Sequence, residues 1–179
     1  MSLYNKQNIT RKESITIEFF YQHAKEQFHL QLASENVGMD RLIKDQNLHR
    51  PGLALAGFVE LYTYSRIQVF GNTEMKYLNQ LTHEDRKLSL ERLFKFDIPA
   101  IIITDGNKPF EEMIQLADDF NIPLFCSSYP TTKLVSLVTD FLDDQFAPSL
   151  TFHGSFVDVY GVGMLFIGKS GVGKSEVAL

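Results

Sequence analysis

Met164-Leu-Phe-Ile-Gly-Lys-Ser-Gly-Val-Gly-Lys-Ser-Glu-Val-Ala-Leu179 holds the most specific pattern in the sequence. Met164 to Ile167 are apolar and predict a buried strand, and Gly168 to Ser175 meets the pattern G-x-x-x-x-G-K-[ST] at each fixed position. The spacing has a physical reason. Gly168, Gly171 and Gly173 can adopt backbone conformations closed to other residues, so successive N–H groups can turn inward around a phosphate. A helix starting at Lys174 would add its positive dipole end. Lys174 offers a charge to the outer phosphates and the Ser175 hydroxyl a ligand for Mg²⁺. A Gly-rich turn that only joins a strand to a helix would look alike in the loop, but the apolar run before it is the context the motif requires. The expectation is nucleotide or polyphosphate binding at Gly168, Lys169, Ser170, Gly171, Val172, Gly173, Lys174 and Ser175.

Working outward, Ser155 to Tyr160 alternates in polarity and Gly161 to Gly163 is a turn, so two paired strands are expected to feed the loop. The segment from Asp143 to Ser149 reads as a hinge, with Pro148 ending a helix. A domain boundary is placed there: 1–147 as an N-terminal α/β domain and 148–179 as the start of a P-loop domain.

In the N-terminal part, Pro99-Ala-Ile-Ile-Ile-Thr104 and Ile122-Pro-Leu-Phe-Cys126 are continuous apolar runs, typical of strands covered on both faces. Between them, Met113, Leu116, Ala117 and Phe120 mark one face of a helix over 110–120. Thr131 or Thr132 can cap a following helix with Leu134, Leu137, Val138, Phe141 and Leu142 inward. Arg66 to Phe70 alternates and reads as a strand, followed by helices over 73–81 and about 84–94, the second carrying Leu88, Leu90, Leu93 and Phe94. Nearer the start, residues 1–13 are polar and expected to fray at their beginning. Ser14 is read as the cap of a helix to about Gln27 with Ile15, Phe19 and Phe28 inward, 28–32 as a strand, and Pro51-Gly52 as a turn. Strand, helix, strand, helix with short connections implies an α/β fold with a mainly parallel sheet.

Composition narrows the function. A formal charge of −5 without a basic run argues against nucleic acid or an anionic membrane as partner. One cysteine, Cys126, rules out an intrachain disulfide and reads as a buried small residue. No apolar stretch approaches the roughly 20 residues that span a bilayer, and the polar start after Met1 lacks a signal-peptide pattern. The chain is expected to be cytoplasmic. It stops at Leu179, inside the helix that the loop should launch, so it reads as the front of a longer protein or a truncated product of it.

The remaining candidates are weaker. His153, in Phe152-His153-Gly154, lies one strand pair before the loop and within possible reach of the phosphates, although a lone histidine beside a strand is more often structural. Arg50, Arg66 and Lys76 can serve a phosphate site, with surface solvation the default. Asp158 reads as a solvated strand position and Tyr160 as a core residue. His23, His29, His49 and His83 show no metal-ligand spacing.

His153-Gly154, Val157-Asp-Val-Tyr-Gly-Val-Gly163 and Gly168-Lys-Ser-Gly-Val-Gly-Lys-Ser-Glu176 together resemble the HPr kinase/phosphorylase family. Arg50-Pro-Gly-Leu53 with Ala56-Gly57, Arg66 to Glu74, and Pro130-Thr-Thr132 extend the likeness over most of the chain. The resemblance implies ATP- or pyrophosphate-dependent phosphorylation of a serine of HPr, the phosphocarrier of the sugar phosphotransferase system. It also implies the phosphate-dependent reverse reaction, Mg²⁺, a homohexamer, and a role in carbon catabolite repression. Fructose 1,6-bisphosphate would favour the kinase and inorganic phosphate the reverse. Residue by residue, Gly168 to Ser175 would bind nucleotide, Lys174 and His153 would be active-site residues, and Ser175 would ligate Mg²⁺. The family's catalytic aspartate, second metal-binding acid, catalytic arginine and most of its HPr-binding surface would lie beyond Leu179, so the 179 residues alone are expected to be inactive. Two alternatives stay open: another P-loop nucleotidase such as a transporter ATPase, and a fragment that acts only as a regulatory or assembly module.

Overall fold

The computed structural model describes residues 9–35, 37–151, 154–168, 171, 173 and 176. In chain order its elements are β1 (Ile9–Thr10), β2 (Ile15–Thr16), α1 (Ile17–Ala24), β3 (Leu30–Leu32), β4 (Leu42–Ile43), α2 (Gly52–Leu55), β5 (Gln68–Phe70) and α3 (Asn72–Gln80). They continue with α4 (His83–Phe94), β6 (Ile101–Ile103), α5 (Glu111–Asp119), β7 (Leu124–Ser127), α6 (Thr131–Phe146), β8 (Ser149–Leu150), β9 (Gly154–Val159) and β10 (Val162–Ile167). They fall into two compact units, Lys12–Ala147 and a second that joins residues 9–11 to the segment from Pro148.

The first unit is built on a four-stranded sheet of order β3-β7-β6-β5. β6 lies between β5 and β7 and runs parallel to both, so Ile102 stands beside Val69 on one side and Phe125 on the other. β3 closes the far edge antiparallel to β7. Three consecutive isoleucines suit the central position because a strand covered on both faces needs no polar alternation. One face carries Phe70, Ile101, Ile103 and Leu124 against α2, α3, α4 and α5. The other sets Leu30, Ile102 and Phe125 against α1 and α6. The α/β architecture with a mainly parallel sheet is thus as the sequence predicts.

Several local expectations change. The first helix begins at Ile17, not at Ser14: β-branched Ile15 and Thr16 pair with Leu42–Ile43 as a short strand, and the Thr16 hydroxyl accepts from the Phe19 N–H at 3.1 Å. Ile15 and Phe28 are buried as expected, whereas Phe19 is only partly covered and Phe20 takes the core position. β5 is buried at every position rather than alternating, because the Gln68 amide turns back and donates to the carbonyls of Thr63 (3.0 Å) and Arg66 (2.7 Å). Pro51-Gly52 opens a short helix, and Leu88 of α4 stands exposed. α6 runs through Phe146 because Leu134, Val138, Leu142 and Phe146 form one buried stripe at four-residue spacing. Asp143 to Phe146 are therefore helix and not hinge.

In the second unit β1 pairs with β8, with the Thr10 and Ser149 hydroxyls 2.9 Å apart, so Ile9 and Thr10 are not frayed. β9 and β10 form a hairpin in register from Val159–Val162 to Gly154–Ile167. Its turn is Tyr160-Gly161, shorter than the expected Gly161 to Gly163, with φ of 52° and 80°. Positive φ at both central residues suits the twist of a two-residue hairpin, and the Asp158 carboxylate accepts from the Gly161 N–H at 2.8 Å. β10 is not a buried strand here: Met164, Leu165 and Ile167 are all exposed in the two-stranded sheet.

Candidate functional site

The hairpin delivers the chain to Gly168, directly after Ile167. Beyond it the described glycines, Gly171 and Gly173, have φ of 86° and 77°. In that region a side chain is strained, which explains glycine at both places. A Cβ on Gly171 would meet nothing within 4 Å, so there the backbone twist and not crowding selects glycine. At Gly173 a Cβ would come 3.2 Å from the Glu176 carboxylate, while the Glu176 N–H donates to the Gly173 carbonyl at 3.1 Å. His153, Lys169, Ser170, Val172, Lys174 and Ser175 lie outside the described residues. No cluster of metal-ligating side chains occurs among the residues that are described.

A second polar assembly lies where the parallel strands of the first unit end. Thr104 follows β6; its buried hydroxyl donates within a network that joins it to the Asp105 carboxylate (3.0 Å) and the Thr131 hydroxyl (2.6 Å). Thr131 donates in turn to Asp105 at 2.7 Å. The expected capping role of Thr131 or Thr132 is therefore not what the fold uses: Pro130 is the cap of α6, and no side chain bonds its first amides. Next to this network Glu74 is buried, and one of its oxygens accepts from both the Gly71 N–H (2.9 Å) and Arg50 Nη2 (2.8 Å). Gly71 is required by proximity, since a Cβ there would lie within contact of Thr131 Oγ1 and Arg50.

Arg66 pairs with Asp45 at 2.7 Å, and Lys76 stands on the exposed side of α3. Burial would raise the Asp45 carboxyl, but the Asn47 amides and Arg66 hold it below the ordinary range. His83 and Arg86 of α4 both reach the buried Glu112 of α5, at 2.6 and 3.0 Å, and tie the two helices together. His49 packs at a tilt against Tyr62, and burial aided by the Arg66 charge pushes it below its ordinary value. His29 bonds the Ser128 hydroxyl at 3.0 Å and packs on the Tyr129 ring at 4.4 Å. Cys126 is half-buried rather than fully so, and burial raises its thiol.

The family models for "HPr Serine kinase N terminus" and "HPr Serine kinase C-terminal domain" match residues 15–142 and 144–179, the first alone covering more than half of the chain. The chain belongs to the HPr kinase/phosphorylase family. An HPr kinase/phosphorylase of Chloroherpeton thalassium is 48% identical over 97% of this chain and 52% of its own length. Those of Prosthecochloris aestuarii and Chlorobium luteolum are 47% and 46% identical over 94% of this chain. The chain spans about half the length of these HPr kinase/phosphorylase relatives. Among solved structures, the CBS and DRTGG domains of the regulatory region of Clostridium perfringens pyrophosphatase, complexed with diadenosine tetraphosphate, match at a TM-score of 0.52. That match covers 72% of this chain and 50% of the other at 13% identity, a likeness of fold alone.

Proposed function

We propose that the complete protein is a serine kinase/phosphorylase of HPr, of which these residues form the front half. The observation that carries the reading is the run of family matches through 15–142 and 144–179, ending in the glycine-rich loop on the hairpin. On this reading 1–147 is a regulatory or assembly domain and 148–179 opens the catalytic one. On the same reading the protein works in the cytoplasm; no described helix is long and apolar enough to cross a membrane.

The chemistry assigned to the loop follows from positioning and charge. Phosphoryl transfer needs little covalent help from the protein, so catalysis rests on holding the donor in line and neutralising the equatorial oxygens. Backbone amides from Gly168 to Ser175 would cradle ATP or pyrophosphate. Lys174 would hold the transferred group, and the Ser175 hydroxyl would ligate Mg²⁺. When bound, the ion supplies charge stabilisation to the phosphate oxygens. His153 would stand near the transferred group, where an imidazolium offsets developing charge or an imidazole orients an acidic partner. Homohexamer formation, control of direction by fructose 1,6-bisphosphate and inorganic phosphate, and a part in carbon catabolite repression belong to the same reading.

The test is donor-dependent transfer. The complete protein should move phosphate from ATP and from pyrophosphate to one HPr serine in the presence of Mg²⁺. With excess inorganic phosphate it should release pyrophosphate from phosphoserine-HPr, and the 179-residue chain should do neither. ATP turnover without phospho-HPr would move the assignment to a general P-loop nucleotidase. A second reading is favoured by the closed core of Lys12–Ala147, which has helices on both sheet faces: this unit would fold by itself and serve as a regulatory module.

A further inference from the structure

Ser89, Leu90, Leu93 and Phe94 turn one side of α4 to the core. That leaves Glu84, Leu88, Glu91 and Lys95 on the opposite side, at the i, i+4, i+7, i+11 spacing of a helix-packing stripe. Leu88, in the middle of the stripe, is 59% exposed. Beside it lies a groove of about 430 Å³, lined by the apolar Val59, Leu88 and Phe96 and the charged Glu91, Arg92 and Lys95. Arg92 lies against Gly57, and the neighbouring Phe58 is exposed as well. The charges along α4 are ordered: Glu84 and Asp85 occupy the first turn, while Arg92 is in the last turn and Lys95 caps it. This order suits the helix dipole, but the dipole gives no reason for an exposed leucine between the two ends. Among the described residues Glu84, Lys87, Glu91, Arg92 and Lys95 form no ion pair.

We infer that α4 packs antiparallel against α4 of a second copy of this chain, about a two-fold axis beside Leu88. Antiparallel pairing lays the acidic start of each helix on the basic end of the other. Glu84 then stands opposite Lys95, Asp85 opposite Arg92 and Lys87 opposite Glu91, and the symmetry makes each pair twice. The two Leu88 side chains meet at the axis, next to the grooves lined by Val59 and Phe96. A parallel pair would instead set acid on acid and base on base. A two-fold contact requires a patch complementary to itself, and the charge order of α4 supplies one. A uniformly acidic or uniformly basic partner would be repelled at one end of the same face. A contact built on one helix face falls in the weak, transient class. The pairing needs only α4 and stands apart from the assignment to HPr.

Sedimentation velocity of the 179-residue chain over a concentration series should show a reversible dimer. Leu88→Glu should weaken it at least about tenfold, and because Leu88 is exposed the variant should melt as the parent does. Two double variants test the pairing itself. Glu84→Lys with Glu91→Lys makes the stripe wholly basic, and Lys87→Glu with Lys95→Glu makes it acidic. Each should be monomeric alone, and an equimolar mixture of the two should dimerise again, since every opposed pair is then complementary. Higher salt should weaken that mixed dimer. A chain that stays monomeric at every concentration would overturn the inference, as would a mixture that fails to pair. Association that survives Leu88→Glu and both double variants unchanged would place the contact elsewhere, the exposed β9–β10 hairpin included, and would overturn it too. None of these readouts depends on transfer to HPr.

Discussion

The two units solve the burial of apolar surface differently. In Lys12–Ala147 a short central strand, Ile101–Ile103, is fully covered because helices pack on both faces of its sheet. In the β9–β10 hairpin the strands are twice as long, six residues each, but Phe156, Val159, Val162, Leu165 and Ile167 remain exposed. Strand length does not decide stability here. A strand is held by what covers its faces, and a two-stranded ribbon without cover is marginal in water. The first unit therefore owes its stability to side-chain packing, and the hairpin to pairing and its turn.

The strongest way to break the comparison is to remove one apolar side chain from each region. Phe125→Ala, fully buried beside Ile102, should cost about 3–5 kcal/mol in urea denaturation of the first unit. Leu165→Ala should change hairpin protection, read by hydrogen exchange of the β9 and β10 amides, by no more than about 0.5 kcal/mol. Equal effects would mean that the hairpin is packed as tightly as the core.

Glycine sharpens the same contrast. Gly38 has φ of 63°, and a Cβ there would run into the Asn121 carbonyl and Pro123. Gly38→Ala should therefore cost about 2–4 kcal/mol, conformational strain and crowding together. Gly161 in the hairpin turn has φ of 80° but open space around it, so Gly161→Ala should cost only the strain, about 1–2 kcal/mol. Melting of the first unit and exchange in the hairpin separate the two.

Acid dependence reads the α4–α5 contact of the first unit. Burial would raise the Glu112 carboxyl, but a backbone amide, Arg86 and His83 bond it and the Arg86 charge adds to them, so it lies below the ordinary glutamate range. A carboxyl depressed in the folded state stabilises above its unfolded value, about 4.3, and this contribution is lost as pH falls through the lower folded value. Glu112→Gln should cost about 1–3 kcal/mol at pH 7 and flatten the acid limb of a stability profile of the first unit. An unchanged acid limb would show that the carboxylate is not held as its contacts imply.

What could be read in advance followed from how local each signal is. Ile101 to Ile103 declare a central strand by themselves, and Met113, Leu116 and Ala117 declare a helix face. Ile15-Thr16 did not, because a β-branched pair before an amphipathic run serves as strand or first turn equally well until Leu42–Ile43 comes alongside. Thr131 has the chemistry of a cap, yet Thr104 and Asp105, more than twenty residues earlier, claim its hydroxyl. Glycine at 171 and 173 was legible because the pattern lies in consecutive residues, and both take positive φ. The meeting of His29 and Gln31 with residues 106–108 and 126–128 was not, because it exists only where β3 lies beside β7 and β7 beside β6.

The most direct test of the functional account is phosphoryl transfer by the complete protein and its Lys174→Ala variant, with ATP, Mg²⁺ and HPr. The account predicts phosphoserine-HPr from the parent protein and a loss of at least about a hundredfold in the variant, since Lys174 would act on the transferred group. Phosphoserine formation that persists undiminished in Lys174→Ala, or a parent protein that never phosphorylates HPr, would contradict it.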